Sequence, residues 1–177
     1  MSLGKAGYYA DFFVYPLFVL ALAVWALGTT TAQQPVVWVL ACLIGIGTWT
    51  LVEYAIHRFI FHRMPVFTRM HEMHHESPLA LVGTPTWISL AVSIGVFIPL
   101  WREARFDVAS GMMSGLVLGY LWYVVLDHAV HHWHMRHGSY LYRAKRRHAQ
   151  HHYARRHCNF GVTTDFWDRV FGTDFRR

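Results

Sequence analysis

The sequence predicts an all-α integral membrane protein with four transmembrane helices, arranged as two hairpins, and a cytoplasmic histidine-rich cap. Three observations lead to this fold class. The chain of 177 residues is 54% hydrophobic and only 15% charged, which is too apolar for an ordinary soluble domain. Long runs carry no charged residue, and the histidines gather in two blocks. We therefore expect a single membrane domain over residues 1–177.

Charge-free runs locate the four spans. No charged residue occurs from Phe12 to Val52, and a polar stretch between Gly28 and Pro35 divides this run into a hairpin. A spanning helix needs roughly 20 mainly apolar residues. Two later charge-free runs supply the second hairpin. The predicted spans are residues 12–27, 36–56, 86–101 and 108–126.

The basic residues predict the orientation in the membrane. With four spans, 14 of the 16 Lys and Arg residues lie on the side of both termini, and only Arg102 and Arg105 lie on the other side. The positive-inside rule makes that first side cytoplasmic. It also carries every histidine, so residues 57–76 and 127–177 form the cap. Topology and anionic lipid headgroups explain the net charge of +6, and we expect no nucleic-acid partner.

The histidines fall into four boxes with the spacing of metal ligands. The first box is H-x4-H at the end of the second predicted span. Five residues place the second histidine roughly 140° from the first on an ideal helix, so either the helix ends or distorts there, or the two side chains approach different metals. The second and fourth boxes are H-x2-H-H, which places three imidazoles on one helix face. The candidate ligands are His57, His62, His71, His74, His75, His128, His131, His132, His148, His151 and His152.

The number of boxes favours a metal site over a simple interfacial role. One box alone is equally consistent with an amphipathic anchor at the membrane surface. Imidazole binds iron, copper, zinc and nickel. Ten or so ligands exceed what a four-coordinate zinc site uses, and they suffice for two metals with room for other ligands. The sequence thus predicts a metal-binding cap that holds two ions.

The order of the four boxes, together with the tail Asn159–Thr173, resembles the fatty acid hydroxylase/sterol desaturase superfamily of histidine-rich membrane di-iron enzymes. The similarity covers roughly Leu51 to the C-terminus. It implies two Fe ions, which Zn can replace in a purified protein, and O2 as co-substrate. It also implies a lipid substrate from the bilayer and a separate electron donor of the ferredoxin or cytochrome b5 type with its reductase. By position, the resemblance assigns ligand roles to His57, His62, His71, His74, His75, His148, His151 and His152, and to two residues of the third box.

Two assignments of the third box remain open. The spacing H-x3-H is satisfied by His128 and His132, and we favour this pair because it keeps the site all-histidine. Aligning the preceding residues without a gap puts Asp127 and His131 at the ligand positions instead. A carboxylate is an acceptable iron ligand. Whichever residue is not a ligand is expected to orient one that is.

Other polar residues are weaker candidates. Glu53, four residues before His57, either orients that histidine or pairs with Arg58. No catalytic residue is identified beyond the metal centre. The remaining histidines match no family position and are predicted to lie at the surface or an interface: His134, His137 and His157.

The predicted function is O2-dependent di-iron hydroxylation of a lipid, a fatty acyl chain or a related molecule, in lipid biosynthesis. Within the superfamily, a carotenoid ring hydroxylase and a lipid desaturase are the alternatives. A metal transporter would need ionisable ligands near the middle of the spans, and the sequence has none there. A membrane metal-binding protein without enzyme activity is the alternative from another class.

Overall fold

The computed structural model describes residues 3–28, 34–154 and 157–175. Over these ranges the chain forms helices and no strand, which confirms the predicted all-α class. A π-helical segment, Ile56–Phe61, separates the third and fourth α-helices. The α-helices are α1 (Lys5–Tyr9), α2 (Asp11–Gly28), α3 (Gln34–Ala55), α4 (Pro65–Glu76), α5 (Thr86–Glu103), α6 (Phe106–His132), α7 (Tyr140–Tyr153) and α8 (Phe166–Val170).

Within the described ranges, three helical stretches are long and apolar enough to cross a membrane: Lys5–Gly28, Pro35–Phe61 and Phe106–His132. They contain the first, second and fourth predicted spans, and the last continues well beyond the predicted end at residue 126. The third predicted span is also helical, as α5, but this helix contains Pro99 and ends on the charged pair Arg102 and Glu103. By length and composition the structure supports three spans, and a fourth stays a prediction.

The described chain divides into two compact units. The first comprises Met1–Trp49 and Gly83–Leu121, and the second comprises Thr50–Val82 and Trp122–Arg177. Helices α3 and α6 contribute residues to both units. Every predicted metal ligand belongs to the second unit.

In the first unit, α3 and α6 approach each other closely at glycines. Gly111, Gly115 and Gly119 lie at four-residue intervals on α6, the small-residue pattern that lets membrane helices pack backbone against backbone. A Cβ on Gly115 would lie only 2.0 Å from the Cys42 carbonyl oxygen of α3. No larger residue fits there without separating the two helices.

Buried hydrogen bonds connect the other helices of the first unit. Asp11 at the start of α2 accepts a hydrogen bond of 2.5 Å from the Tyr120 hydroxyl of α6. The Tyr15 hydroxyl of α2 donates to the Ser89 hydroxyl of α5 at 2.6 Å. Because a polar group in an apolar interior needs a partner, these pairs fix how α2 sits against α5 and α6.

The second unit contains the end of α3, the π-helical segment, α4, the end of α6, α7 and the tail. The side chain of Ser139 caps α7 by accepting a hydrogen bond from the Tyr142 main-chain N–H at 3.1 Å. Ser is among the preferred residues at this position because its oxygen satisfies a free N–H of the first turn. A small apolar core packs the end of α6, α7 and the tail together through Leu126, Val130, Ala144 and Val162.

Candidate metal centre

The first histidine box begins on the π-helical segment, with His57 inside the segment and His62 immediately after it. A π-helix closes its hydrogen bonds from residue i to residue i+5, so residues five apart come to the same side. His57 and His62 have this spacing, and their ring centroids are 5.2 Å apart. The H-x4-H spacing had required either that the helix end or distort, or that the two side chains approach different metals. The structure shows that the helix distorts, and both imidazoles belong to one group of candidate ligands.

Five imidazoles, including those of His57 and His62, lie together in a group that we name cluster A. Their ligand atoms all lie within 4.8 Å of one another. The Nε2 atom of His71 is 3.0 Å from that of His57 and 2.9 Å from that of His75. The Nε2 atoms of His62 and His151 are 3.1 Å apart. Cluster A consists of His57, His62, His71, His75 and His151.

A second group, cluster B, contains four imidazoles from α4, α6 and α7 and has the same 4.8 Å limit between ligand atoms. The Nε2 atom of His148 is 2.9 Å from those of both His131 and His152. The carboxylate of Asp127 faces this cluster, with Oδ1 at 3.4 Å from His148 Nε2 and 3.7 Å from His74 Nε2. Cluster B consists of His74, His131, His148 and His152.

Each H-x2-H-H box is divided between the two clusters. The second box gives two histidines to cluster A and one to cluster B, and the fourth box gives two to cluster B and one to cluster A. In the second box, on α4, His71 and His75 belong to cluster A and His74 belongs to cluster B. In the fourth box, on α7, the outer pair belongs to cluster B and the middle histidine to cluster A. Residues i and i+4 share a helix face, whereas residues i+3 and i+4 differ by about 100°. Each box therefore supplies ligand atoms to both clusters.

The tail, taken from here on to include Cys158 immediately before it, orients two imidazoles of cluster A through main-chain carbonyls. The Nδ1 atom of His57 is 2.5 Å from the Phe160 carbonyl oxygen, and Nδ1 of His151 is 2.8 Å from the Cys158 carbonyl oxygen. A carbonyl only accepts, so each Nδ1 carries the proton and each Nε2 presents a lone pair to the cluster. Lone pairs that face one another at these distances are stabilised by a cation between them. The donor set of cluster A therefore fits a metal ion.

Burial lowers the pKa of four imidazoles of the two clusters and keeps them neutral at pH 7. It lowers the pKa of His62 and of His75 to about 3 and that of His151 to about 4, all in cluster A. It lowers the pKa of His152 in cluster B to about 2. Nearby imidazoles lower each pKa further. At pH 7 these side chains are in the unprotonated form that binds metal.

The third box presents two faces of α6. His131 belongs to cluster B and Asp127, four residues earlier, faces it, with His131 Nε2 at 3.9 Å from Asp127 Oδ1. His128 and His132 form the adjacent pair, with rings stacked at 4.4 Å between centroids. Among the described residues, neither of these two histidines belongs to a cluster.

The side chain of Glu53 contacts the tail at Val162 and Thr163. Its carboxylate is buried and accepts hydrogen bonds from the main-chain N–H groups of Val162 at 2.7 Å and Thr163 at 2.9 Å. Arg58 donates to the hydroxyl of Tyr54 at 2.6 Å. Glu53 thus holds the tail segment.

The three remaining histidines are exposed, as expected, but one of them borders the site. The ring of His157 lies 4.9 Å from that of His62, centroid to centroid. His157 lines a cleft of about 320 Å³ onto which cluster A opens. The rest of its lining comprises Phe61, His62, Thr68, His71, Glu72, His75 and Glu76.

Sequence reasoning missed the residues that support the ligands. The two carbonyls of the tail and the carboxylate of Asp168, which is buried beneath them, had no spacing pattern to mark them. Every residue has a main-chain carbonyl that can accept a hydrogen bond. Residue type therefore does not show which carbonyls orient histidines, and only the fold reveals them. The family-like tail Asn159–Thr173 was the one signal that pointed to this segment.

Comparison with known proteins supports the resemblance read from the boxes. A family model described as fatty acid hydroxylase matches residues 42–173. A ceramide very long chain fatty acid hydroxylase (scs7) of Schizosaccharomyces pombe is 38% identical over 146 residues, which are 75% of this chain and 41% of that protein. A fatty acid 2-hydroxylase of Macaca fascicularis is 34% identical over 144 residues, covering 74% of this chain and 38% of that protein.

The solved structure of full-length scs7p, in which only the hydroxylase domain is visible, shares the fold with a TM-score of 0.82. It is 24% identical in sequence and covers 96% of this chain and 67% of that one. The chain spans about two fifths of the length of the two curated relatives described above. The family match covers most of the chain, and so the chain belongs to the fatty acid hydroxylase family.

Proposed function

We propose that this protein is an O2-dependent lipid hydroxylase that acts on a fatty acyl chain through two iron ions, one in each cluster. The observation that carries this proposal is the convergence of two separate imidazole clusters, each with its ligand atoms within 4.8 Å, in a chain of this family. The names of the relatives, which are fatty acid and ceramide hydroxylases, support a lipid substrate.

The geometry supports a specific ligand set. Cluster A offers five imidazoles to one metal, and cluster B offers four to the other. In the third box it favours His131 as the ligand, with Asp127 either completing the coordination or bonding to a ligand. Neither His128 nor His132, the pair that satisfies the H-x3-H spacing, belongs to a cluster among the described residues. Zinc, which also accepts imidazole, can replace iron in a purified sample.

When bound, the two iron ions supply the activation of O2, with electrons from a separate donor of the ferredoxin or cytochrome b5 type. The chain's own residues provide position and environment. The carbonyls of Cys158 and Phe160 hold two imidazoles in the protonation state that leaves Nε2 available. The cleft beside cluster A gives the substrate a route to the metals, bordered by the ring of Phe61. A fixed approach determines which C–H bond reacts.

The proposal includes the membrane arrangement. The chain is one integral membrane domain with four spans, of which α5 is the third. Both termini and the metal centre lie on the cytoplasmic side. The excess of Lys and Arg on that side supports this orientation.

Lipid analysis tests the function. The protein is expressed in a host with iron and a donor–reductase pair, and the host lipids are compared by mass spectrometry with those from a His71→Ala variant. His137→Ala, an exposed histidine, serves as the control. We expect one lipid class to gain one oxygen atom in cells with the wild type and the control, and no gain with His71→Ala.

The same experiment separates the alternatives. Loss of two hydrogens on an acyl chain would replace hydroxylation by desaturation, and an oxygen gained on a carotenoid would identify a ring hydroxylase. Unchanged lipids in cells whose protein contains two metals per chain would contradict the enzyme proposal and support a metal-binding membrane protein.

A further inference from the structure

We propose that Asp168, assisted by Glu53, is a positioning residue for the metal of cluster A. It acts by fixing the tail carbonyls that orient His57 and His151. This inference rests on the proposed two-metal site. Neither carboxylate belongs to a cluster among the described residues, so their effect on the metal is transmitted through the tail.

Asp168 is a buried carboxylate at the centre of the tail. It is 1% exposed, and its two oxygens accept hydrogen bonds of 2.8 Å from the main-chain N–H groups of Phe160 and Gly161. A third hydrogen bond, of 2.7 Å, comes from the Thr173 hydroxyl. Two of the donors flank the carbonyl group of Phe160 that meets His57. The Asp168 carboxylate therefore fixes the peptide on which this imidazole depends.

The tail is closely packed around this carboxylate. A Cβ on Gly161 would lie 2.0 Å from the Thr164 carbonyl oxygen and 3.0 Å from Asp168 Oδ2. The main-chain N–H of Thr173 also donates to the Asp168 carbonyl at 2.8 Å. No side chain fits at Gly161 without displacing the Thr164 carbonyl or the Asp168 carboxylate.

Glu53 anchors the next residues of the tail to the helix that carries the first box. Besides the two main-chain N–H groups, it accepts a hydrogen bond of 2.5 Å from the Thr163 hydroxyl. Glu53 lies one turn before His57, and Val162 and Thr163 follow Phe160 closely. The helix that presents His57 thus also holds the segment whose carbonyl orients it.

Asn159 links the two carbonyls to α7. Its φ of +53° lies in the left-handed region, which Asn tolerates better than most residues. Its side-chain amide donates to the Gln150 side-chain oxygen at 3.0 Å and to the Arg147 carbonyl oxygen at 3.2 Å. Since Gln150 is adjacent to His151, the tail is fixed at both imidazoles that it orients.

Cluster B has no equivalent support in the described structure. The buried Nδ1 atoms of His148 and His152 have no hydrogen-bond partner there. Loosening the tail should therefore weaken metal binding at cluster A and spare cluster B. Loss of an orienting partner typically lowers metal affinity by about 10- to 100-fold.

The test measures metal content of the full chain. Asp168→Asn keeps the size of the side chain but replaces one acceptor oxygen by an NH2 group, so it cannot accept from both main-chain N–H groups. The protein is purified anaerobically with iron, and a parallel sample carries Co2+, whose absorption spectrum reports its ligands. At a free metal concentration just sufficient to fill the wild type, we expect about two metals per chain in the wild type and about one in Asp168→Asn.

Double variants identify the cluster that is affected. Asp168→Asn should remove little further metal from His71→Ala, in which cluster A is already damaged, and should remove the remaining metal from His74→Ala. Asp165→Asn is the matched control, since this carboxylate lies in the same tail but pairs with Arg169 at 2.5 Å. Its metal content should equal that of the wild type.

Two metals in Asp168→Asn, or equal loss from both clusters, would overturn the positioning role. Fewer than two metals in the wild type would instead overturn the two-metal proposal on which it rests. If Asp168→Asn does not fold, Glu53→Gln replaces it, because Gln keeps one acceptor oxygen; a smaller loss confined to cluster A is then expected, and no loss would contradict the inference.

Discussion

Clusters A and B take imidazoles from the same two helices, α4 and α7, yet they differ in what surrounds those imidazoles. Cluster A has five, and main-chain carbonyls orient two of them. Cluster B has four and faces the carboxylate of Asp127. Ligand type is therefore nearly the same in both, and the environment distinguishes them.

The difference matters because a divalent ion brings charge to each cluster. In cluster A every candidate ligand is an imidazole, so the charge of a bound ion would be dispersed through the imidazoles to the dipoles of the carbonyls. In cluster B the negative charge of Asp127 opposes it directly, a stronger interaction in a poorly solvated site. We expect cluster B to bind metal with the help of charge and cluster A with the help of fixed geometry.

Removing one candidate ligand from each cluster in turn should have the largest effect among the changes that test this comparison. His71→Ala and His74→Ala change neighbouring residues of α4 that serve different clusters. Each variant should retain about one metal per chain, and each should lose hydroxylation by at least about 100-fold because the proposed reaction needs both ions. Metal analysis and product formation check this. Loss of both metals in either variant would show that the clusters do not bind independently.

Removing the charge at cluster B should have an intermediate effect. Asp127→Asn keeps the shape of the side chain and deletes its charge, so the metal affinity of cluster B should fall about 10- to 100-fold while cluster A is unchanged. Competition with a chelator measures both affinities. His128→Ala and His132→Ala are the controls and should match the wild type; a loss in those variants equal to that of Asp127→Asn would restore the all-histidine assignment of the third box.

The response to acid should be the smallest effect. The pKa values of His62 and His75 are about 3 and that of His151 is about 4, below the ordinary imidazole value of 6.5. Below pH 6.5 the unfolded chain binds protons that the folded metal-free protein does not, so folding stability is full above that pH and declines as pH falls. The melting temperature of the metal-free protein should therefore decrease steadily from pH 7 to pH 5.

A single replacement tests the origin of that decline. His75→Gln removes one neutral imidazole from cluster A, so the dependence of stability on pH should become shallower by about one proton. The exposed His137→Gln should leave the slope unchanged. An identical slope in all three proteins would show that the cluster imidazoles are not its source.

The sequence was sufficient for the helical class and for the identity of the family, because hydropathy and box spacing are both local properties. Residues four apart on a helix share a face, so the pairing of His71 with His75 also followed from spacing. The division of each H-x2-H-H box between two clusters did not, since it depends on where the neighbouring helices lie. For the same reason, the choice between His128 and His131 could not be made from α6 alone.

The tail illustrates a different limit. Its motif was visible, but its contribution is made by carbonyl oxygens, which every residue carries. The buried bonds of Glu53 join residues separated by more than a hundred positions, with a sequence separation of 109 to Val162. Such a pairing leaves no periodic trace in one sequence.

The π-helical segment at Ile56–Phe61 has a consequence for how such proteins vary. Deleting one residue between His57 and His62 would leave them four apart, and an ordinary α-helix would again place both on one side. A homologue with H-x3-H at this box could therefore build the same ligand pair from a different kind of helical turn. The number of residues between two ligands thus records the local winding of the backbone as much as the geometry of the metal.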